Sequence, residues 1–229
     1  MTVTPRRPRA HHLAAGLAAV ASALALTAAP AAASPLPEFD FTDCPTLPAG
    51  ADPARWRCEV LVSTGTLRIS RREVPLRAMR LTFAEGRLDG RYAQVFGSLV
   101  AEPSPVPWLP GVTLRPRYAG HSDFESNDER KGEIDLAFTV RGPLPGASCA
   151  IGSEVEPVHS EIQQVGETEL LSPDPPVLRF RSVDERLALP ATTGCGPLAR
   201  LLDHRLGLPS PSGRNSLRQV TLVGLRPYA

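Results

Sequence analysis

The chain has 229 residues, 42% hydrophobic and 21% charged, a composition that fits a folded globular protein and excludes an intrinsically disordered one. Twenty-five prolines spread along its whole length argue against a helical bundle and for short strands joined by irregular loops. The net charge is +1 and Lys131 is the only lysine among 25 basic residues, an arginine bias typical of GC-rich coding, so neither charge nor arginine number points to nucleic acid.

The N-terminus reads as an export signal. Arg6, Arg7 and Arg9 precede an apolar run from Leu13 to Ala29, and Ala31, Ala32 and Ala33 supply the small residues of a cleavage site, which predicts cleavage after Ala33. An uncleaved anchor is the alternative, opposed by the short alanine-rich run and by Pro30. Residues 1–33 carry three arginines and no acid, so the mature chain has 22 basic and 24 acidic residues, a net charge of −2.

In an oxidising compartment Cys44, Cys58, Cys149 and Cys195 make two disulfides, with three possible connectivities. Cys44 with Cys58 and Cys149 with Cys195 is the favoured set. The first pair ties a proline-rich segment, residues 34–56, to the first strand, and the second fastens a later helix. A zinc site is disfavoured, because no two cysteines stand two to four residues apart.

From Arg57 to Ala101 β-favouring residues alternate with polar ones. Leu67 and Ile69 flank Arg68, and Met79, Leu81 and Phe83 flank Arg80 and Thr82, which predicts a meander of four strands and the largest part of a sheet core. Thr64-Gly65 and Glu85-Gly86 are the expected hairpin reversals, and the phase slip between Leu76/Ala78 and Met79/Leu81 predicts a β-bulge. Residues 102–111, with four prolines, read as a crossover loop with Trp108 packed down. Val112 to Tyr118 is an edge strand interrupted by Pro116, and Glu133 to Val140 is the cleanest strand, with Ile134, Leu136, Phe138 and Val140 on one face. Glu154–Val165 and Val177–Leu189 are strands with one wet face each. Gly196-Pro197 opens a helix over about 197–206 with Leu198, Leu201, Leu202 and Leu206 on one stripe and Gly207 at its cap. A last strand, Leu217 to Leu225, is expected to bury Val220 and Leu222.

The stretches CPTLPAGADPARWRCEVLVSTGTL, RLTFAEG, AQVFG and GCGPLARLLDHRLGLPSPSGRN together resemble a group of uncharacterised secreted proteins of high-GC actinobacteria. The resemblance implies export and a shared scaffold and brings no activity and no site residue.

Chemistry-bearing motifs are sparse. His121-Ser122-Asp123 and Asp203-His204 hold serine-hydrolase residue types without a nucleophile elbow, and the acidic run from Asp123 to Glu129 lacks the glycine and the closing glutamate of a calcium loop. Charge placement is the remaining signal. Arg57 to Arg91 holds eight arginines against four acids, and His121 to Asp135 holds six acids against two bases. Arg68, Arg71, Arg72, Arg77 and Arg80, if gathered at one hairpin, form an anion-binding surface for an envelope polymer or lipid.

These readings combine into a signal peptide at 1–33, a disulfide-tied segment at 34–56 and a single β-rich domain at 57–229. The fold class expected is all-β, an antiparallel sandwich or partly closed barrel with one C-terminal helix packed on it, against an α+β layer fold as the alternative. The function expected is that of a secreted or cell-envelope-associated, non-catalytic binding or structural protein. It calls for no catalytic residue, cofactor or metal, and nucleic acid is not the expected partner. The alternatives are a small secreted hydrolase assembled from loops such as Gly120–Asp123 and Ser210–Asn215, or a lipid carrier.

Overall fold

The computed structural model describes residues 36–127, 129–142 and 148–229. The expected export signal and Asp128 of the acidic run lie outside the described residues. Three long strands open the domain: β1 (Trp56–Ile69), β2 (Arg72–Leu88) and β3 (Arg91–Ala101). The four-strand meander is therefore a three-strand one, and its reversals fall elsewhere. The chain turns at Ser70-Arg71, where Ser70 has φ 55°, and at Asp89-Gly90, where both residues have positive φ, 52° and 78°. Asp-Gly is the stronger hairpin signal, because it suits a turn needing positive φ at both central positions. Thr64-Gly65 and Glu85-Gly86 lie within strands instead.

The expected bulge is present. Ser63 pairs with Met79 and Gly65 with Leu76, so Arg77 and Ala78 together oppose Thr64. That extra residue keeps Val74 and Leu76 on the same buried side as Leu81 and Phe83 despite the slip in sequence phase.

The remaining elements are β4 (Ser104–Pro105), β5 (Thr113–Asp123), β6 (Arg130–Arg141), β7 (Ser148–Ile151), β8 (Val158–Pro173), β9 (Pro176–Asp184), β10 (Thr192–Thr193), α1 (Ala199–Leu206) and β11 (Ser216–Pro227). Every pairing is antiparallel. The sheet runs β3-β2-β1-β11-β9-β8-β6-β5, with β7 extending the β8 side of β6, β10 beside β7 and β4 beside β5. Its ends, β3 and β5, meet through side chains. Gln94 Nε2 donates to the Ser122 carbonyl (2.7 Å), Gln94 Oε1 accepts from the Phe124 amide (2.9 Å), and Phe96 stacks on Tyr118 with centroids 3.8 Å apart. The result is a single curled sheet, a partly closed barrel.

The interior is packed by Leu61, Leu67, Leu81, Phe83, Phe138 and Val223 among others. In β11 the buried residues are Ser216, Leu217, Thr221, Val223 and Gly224, while Val220 is 43% exposed. The expected burial of Val220 and Leu222 thus has the wrong phase, since a shift of one residue exchanges the faces of a strand.

Residues 38–52 form a strap across the outer face of β1, β2, β3 and β11. Phe39 lies against Gly224, where an added Cβ would stand 2.4 Å from its ring, and the Asp43 carbonyl approaches Gly97 in the same way. Cys44 is bonded to Cys58, Arg226 lies over the Phe41 ring, and Tyr228 Oη donates to the Pro45 carbonyl (2.7 Å). The strap explains why Trp56, Cys58, Val60, Thr82 and Ala84 are buried although they point away from the barrel.

The helix begins with a 3-10 turn, Gly196–Leu198, and ends at Gly207 in the left-handed conformation (φ 80°), whose amide caps the Asp203 carbonyl. The second disulfide, Cys149 to Cys195, joins its start to β7. Two disulfides fit an oxidising environment. Among the described residues no helix is long and apolar enough to cross a membrane.

Candidate functional site

The five arginines expected to form one anion-binding surface are divided: Arg68, Arg77 and Arg80 share the outer face of the hairpin, Arg71 stands in the turn and Arg72 faces the other side. Arg80 bridges two carboxylates of the strap, Asp40 and Asp43 (2.9 Å to the latter). The Asp40 carboxyl is held down to about 2 by hydrogen bonds from the Thr42 hydroxyl and amide and from Arg80. Arg68 and Arg77 alternate with buried Leu67, Ile69, Val74 and Leu76, so they face outward, and Arg68 Nε donates to the Ser216 hydroxyl (3.3 Å). Arg71 is exposed in the turn. Arg72, opposite Ile69, turns the other way. Its guanidinium lies 5.3 Å from the Trp108 ring centroid and donates to the Arg205 carbonyl (3.1 Å), which Trp108 Nε1 also reaches (3.1 Å). A guanidinium on an indole face with a directed hydrogen bond is a fixed group rather than a sweeping one.

The hydrolase residue types do not converge among the described residues. His121 Nε2 meets the Glu133 carboxylate (3.1 Å) on an exposed face, Asp123 pairs with Arg130 (3.2 Å), and Asp203 accepts from the Thr192 amide (2.8 Å). The His121 contact, then Arg130, lowers the Glu133 pKa. Among the described residues neither His121 nor His204 has a serine hydroxyl as partner.

Beside Arg72 and Trp108 lies an apolar pocket of about 320 Å³ between the helix and the end of the barrel. Leu109, Val112, Val140, the Cys149–Cys195 bridge and the helix residues Leu198, Leu201 and Leu202 line it. The stripe expected to pack α1 on the sheet is therefore divided: Leu206 is buried, whereas Leu201 is 54% exposed and lines the pocket. Arg205 is the one charged residue of the lining, and it forms no ion pair with any described residue. Such a volume lies near the lower end of the range for small-molecule sites, about 300 to 1,000 Å³.

The opposite mouth of the barrel is polar. Arg57 and Glu59 stand in phase with Leu61 and point inward. Arg57 Nε donates to Glu59 (2.7 Å), its Nη2 to Glu85 of β2, and Tyr92 of β3 donates to Glu85 (3.1 Å). Burial, then the neighbouring Glu85 carboxylate, pushes the Glu59 carboxyl up to about 7. Burial and then Glu85 raise the Tyr92 phenol as well. Both carboxyls share the Arg57 guanidinium. Sequence reading missed this cluster. The available signal was a charged pair, Arg57 and Glu59, in phase with core residues, but Val60 and Val62 made the other phase equally apolar.

Glu59 makes stability depend on pH with a definite sign. Its folded pKa lies above the ordinary 4.5, so the folded state binds the proton more tightly, and stability falls as pH rises from 4.5 to about 7. Asp40 and Glu133, whose pKa values are lowered, act in the opposite sense and only at lower pH. The stability of residues 34–229 is expected to fall by about 2 kcal/mol between pH 5 and pH 8 in thermal melts, and Glu59→Gln to flatten that slope. An unchanged slope in the variant would assign the effect to other groups.

No protein-family model, curated protein or solved structure matches the chain.

Proposed function

We propose that this is a secreted or cell-envelope-associated binding protein without catalysis, which takes the hydrocarbon part of an anionic envelope lipid into the pocket beneath α1. The observation that carries this reading is the apolar pocket with Arg205 as its single charged lining residue and Arg72 held beside it on Trp108. Apolar area removed from water supplies the affinity, and the guanidinium favours a phosphate or carboxylate head over a cationic one. The lipid reading is preferred to an anionic polymer, because a polymer needs a row of free cations, whereas Arg80 is paired with Asp40 and Asp43, Arg72 is held on Trp108, and Arg68 and Arg77 alone face outward unpaired with a described carboxylate. The two disulfides and the arginine-led, alanine-rich N-terminus support export.

Isothermal titration of the mature chain with dodecyl phosphate below its micelle concentration tests this. Binding is expected in the micromolar range, with Arg205→Gln weakening it about tenfold. Leu201→Asp, at an exposed position that folding tolerates, is expected to abolish it. Absent binding, or binding indifferent to Leu201→Asp, overturns the proposal.

A further inference from the structure

Three segments, residues 70–72, 104–112 and 196–208, meet at the end of the barrel covered by α1. Arg72 and Trp108 both donate to the Arg205 carbonyl (3.1 Å each), and a Cβ added at Gly207 would stand 3.8 Å from the Ser70 hydroxyl. Together the segments hold Arg71, Arg72, Arg200 and Arg205 against a single acid, Asp203, whose carboxylate is turned to β10 by the Thr192 amide (2.8 Å). None of these arginines is ion-paired among the described residues. We infer that this end of the barrel docks on the surface of an anionic lipid membrane, with Leu201, Leu109 and Pro110 at the headgroup boundary and the arginines on lipid phosphates.

Charge and apolar surface coincide on this rim. Pro107, Pro110 and Leu201 are exposed, and Trp108 and Leu109 are half-buried beside them. The exposed residues of α1 are Arg200, Leu201, His204 and Arg205, and at helical spacing Leu201 stands between the two arginines. The cations therefore surround an apolar opening, an arrangement that matches a bilayer, where phosphates lie at the surface and hydrocarbon a few ångströms below. Guanidinium groups suit phosphate, and an indole suits the boundary between headgroup and hydrocarbon. A positive rim on a chain whose mature charge is −2 also sets which face approaches an anionic surface. Glu73, the nearest acid in β2, alternates with buried Val74 and points to the outer face opposite Arg68, away from the rim. Since α1 is eight residues long, the contact is peripheral. Docking rests on the lipid reading of the pocket for its purpose, because α1 then lies on the surface from which the ligand is drawn; the rim itself is separate from the cavity.

Co-sedimentation of residues 34–229 with vesicles of phosphatidylglycerol and phosphatidylcholine in equal parts, against phosphatidylcholine alone, is the measurement. Binding is expected to the anionic vesicles and not to the neutral ones, and it should weaken as salt is added. Arg71→Gln with Arg200→Gln, both exposed and outside the pocket lining, is expected to weaken vesicle binding at least about tenfold and to leave dodecyl phosphate titration within about twofold. Arg55→Gln with Arg91→Gln removes the same charge at exposed positions of the opposite mouth and is expected to change vesicle binding less than about twofold. Leu201→Gln, which alters no charge, is expected to weaken it about fivefold. No binding to anionic vesicles, equal binding to neutral ones, equal losses in the two arginine pairs, or indifference to Leu201→Gln overturns docking. Vesicle binding without dodecyl phosphate binding upholds docking and removes the pocket reading, and the reverse result overturns docking alone.

Discussion

Gly65→Ala is expected to remove much of the barrel's stability. Gly65 lies within β1, opposite Gln219 of β11 and beside the bulge that β1 forms with β2. An added Cβ would stand 2.0 Å from the Arg218 carbonyl oxygen and 3.0 Å from the Gln219 Cα. Those are backbone atoms of a paired neighbour, so no rotamer change relieves the clash, and two central strands have to part. The loss is expected to exceed about 4 kcal/mol, a large share of the 5 to 15 kcal/mol that holds a typical domain. Two other glycines calibrate the effect. Gly86→Ala meets the buried Trp56 indole at 2.5 Å and the Arg55 carbonyl oxygen at 2.7 Å, a less severe approach than that at Gly65, and should cost about 3 kcal/mol. Gly90→Ala has nothing within 4 Å and suffers only from its positive φ, about 1 kcal/mol. Urea denaturation of the three variants should rank them in that order. A Gly65→Ala protein within about 1 kcal/mol of the parent would contradict the close approach of β1 and β11.

The second large effect is expected from the paired change Cys149→Ser and Cys195→Ser. These cysteines are 46 positions apart, and a loop of that size is worth about 4 kcal/mol in the chain-entropy account, against about 3 kcal/mol for Cys44 and Cys58 at a separation of 14. The functional consequences differ as well. The 149–195 bridge is part of the apolar pocket and anchors the start of the helix to β7, so its loss should abolish dodecyl phosphate binding along with stability. The 44–58 bridge fastens the strap on the far side of the sheet. Its paired serine change should leave that binding within about twofold, because Arg80, Phe39 and Tyr228 still hold the strap. Melting curves and titrations on both double variants check the contrast. Equal loss of lipid binding in both would show that the strap and the pocket are one cooperative unit.

Much of the fold was legible because its signals are local. Ile134, Leu136, Phe138 and Val140 alternate and are all buried, and the helix ends at Gly207 because that residue tolerates the left-handed cap. The glycines of Thr64-Gly65 and Glu85-Gly86 misled because glycine has two uses, to turn a chain and to let another chain come close. Only a neighbour tells them apart, here the Arg218 carbonyl and the Trp56 ring. The arginine cluster dissolved for a related reason. Arg72 and Arg77, an odd number of positions apart in one strand, face opposite sides, and Asp40 and Asp43, far away in sequence, engage Arg80.

By itself the sequence determined the periods of the strands, the helix and its cap, the bulge in β2 and a cysteine spacing suited to two bridges, since each depends on residues a few positions apart or on loop length. Tertiary structure decided which phase of β1 faces the barrel, because the strap buries the outer face too and an alternation with both sides apolar carries a period without a direction. It also decided the two mouths of the barrel. Arg57, Glu59, Glu85 and Tyr92 come from three strands, and Leu109, Val140 and Leu201 from a loop, a strand and a helix, so their meeting depends on the curl of the whole sheet and on no stretch of chain alone.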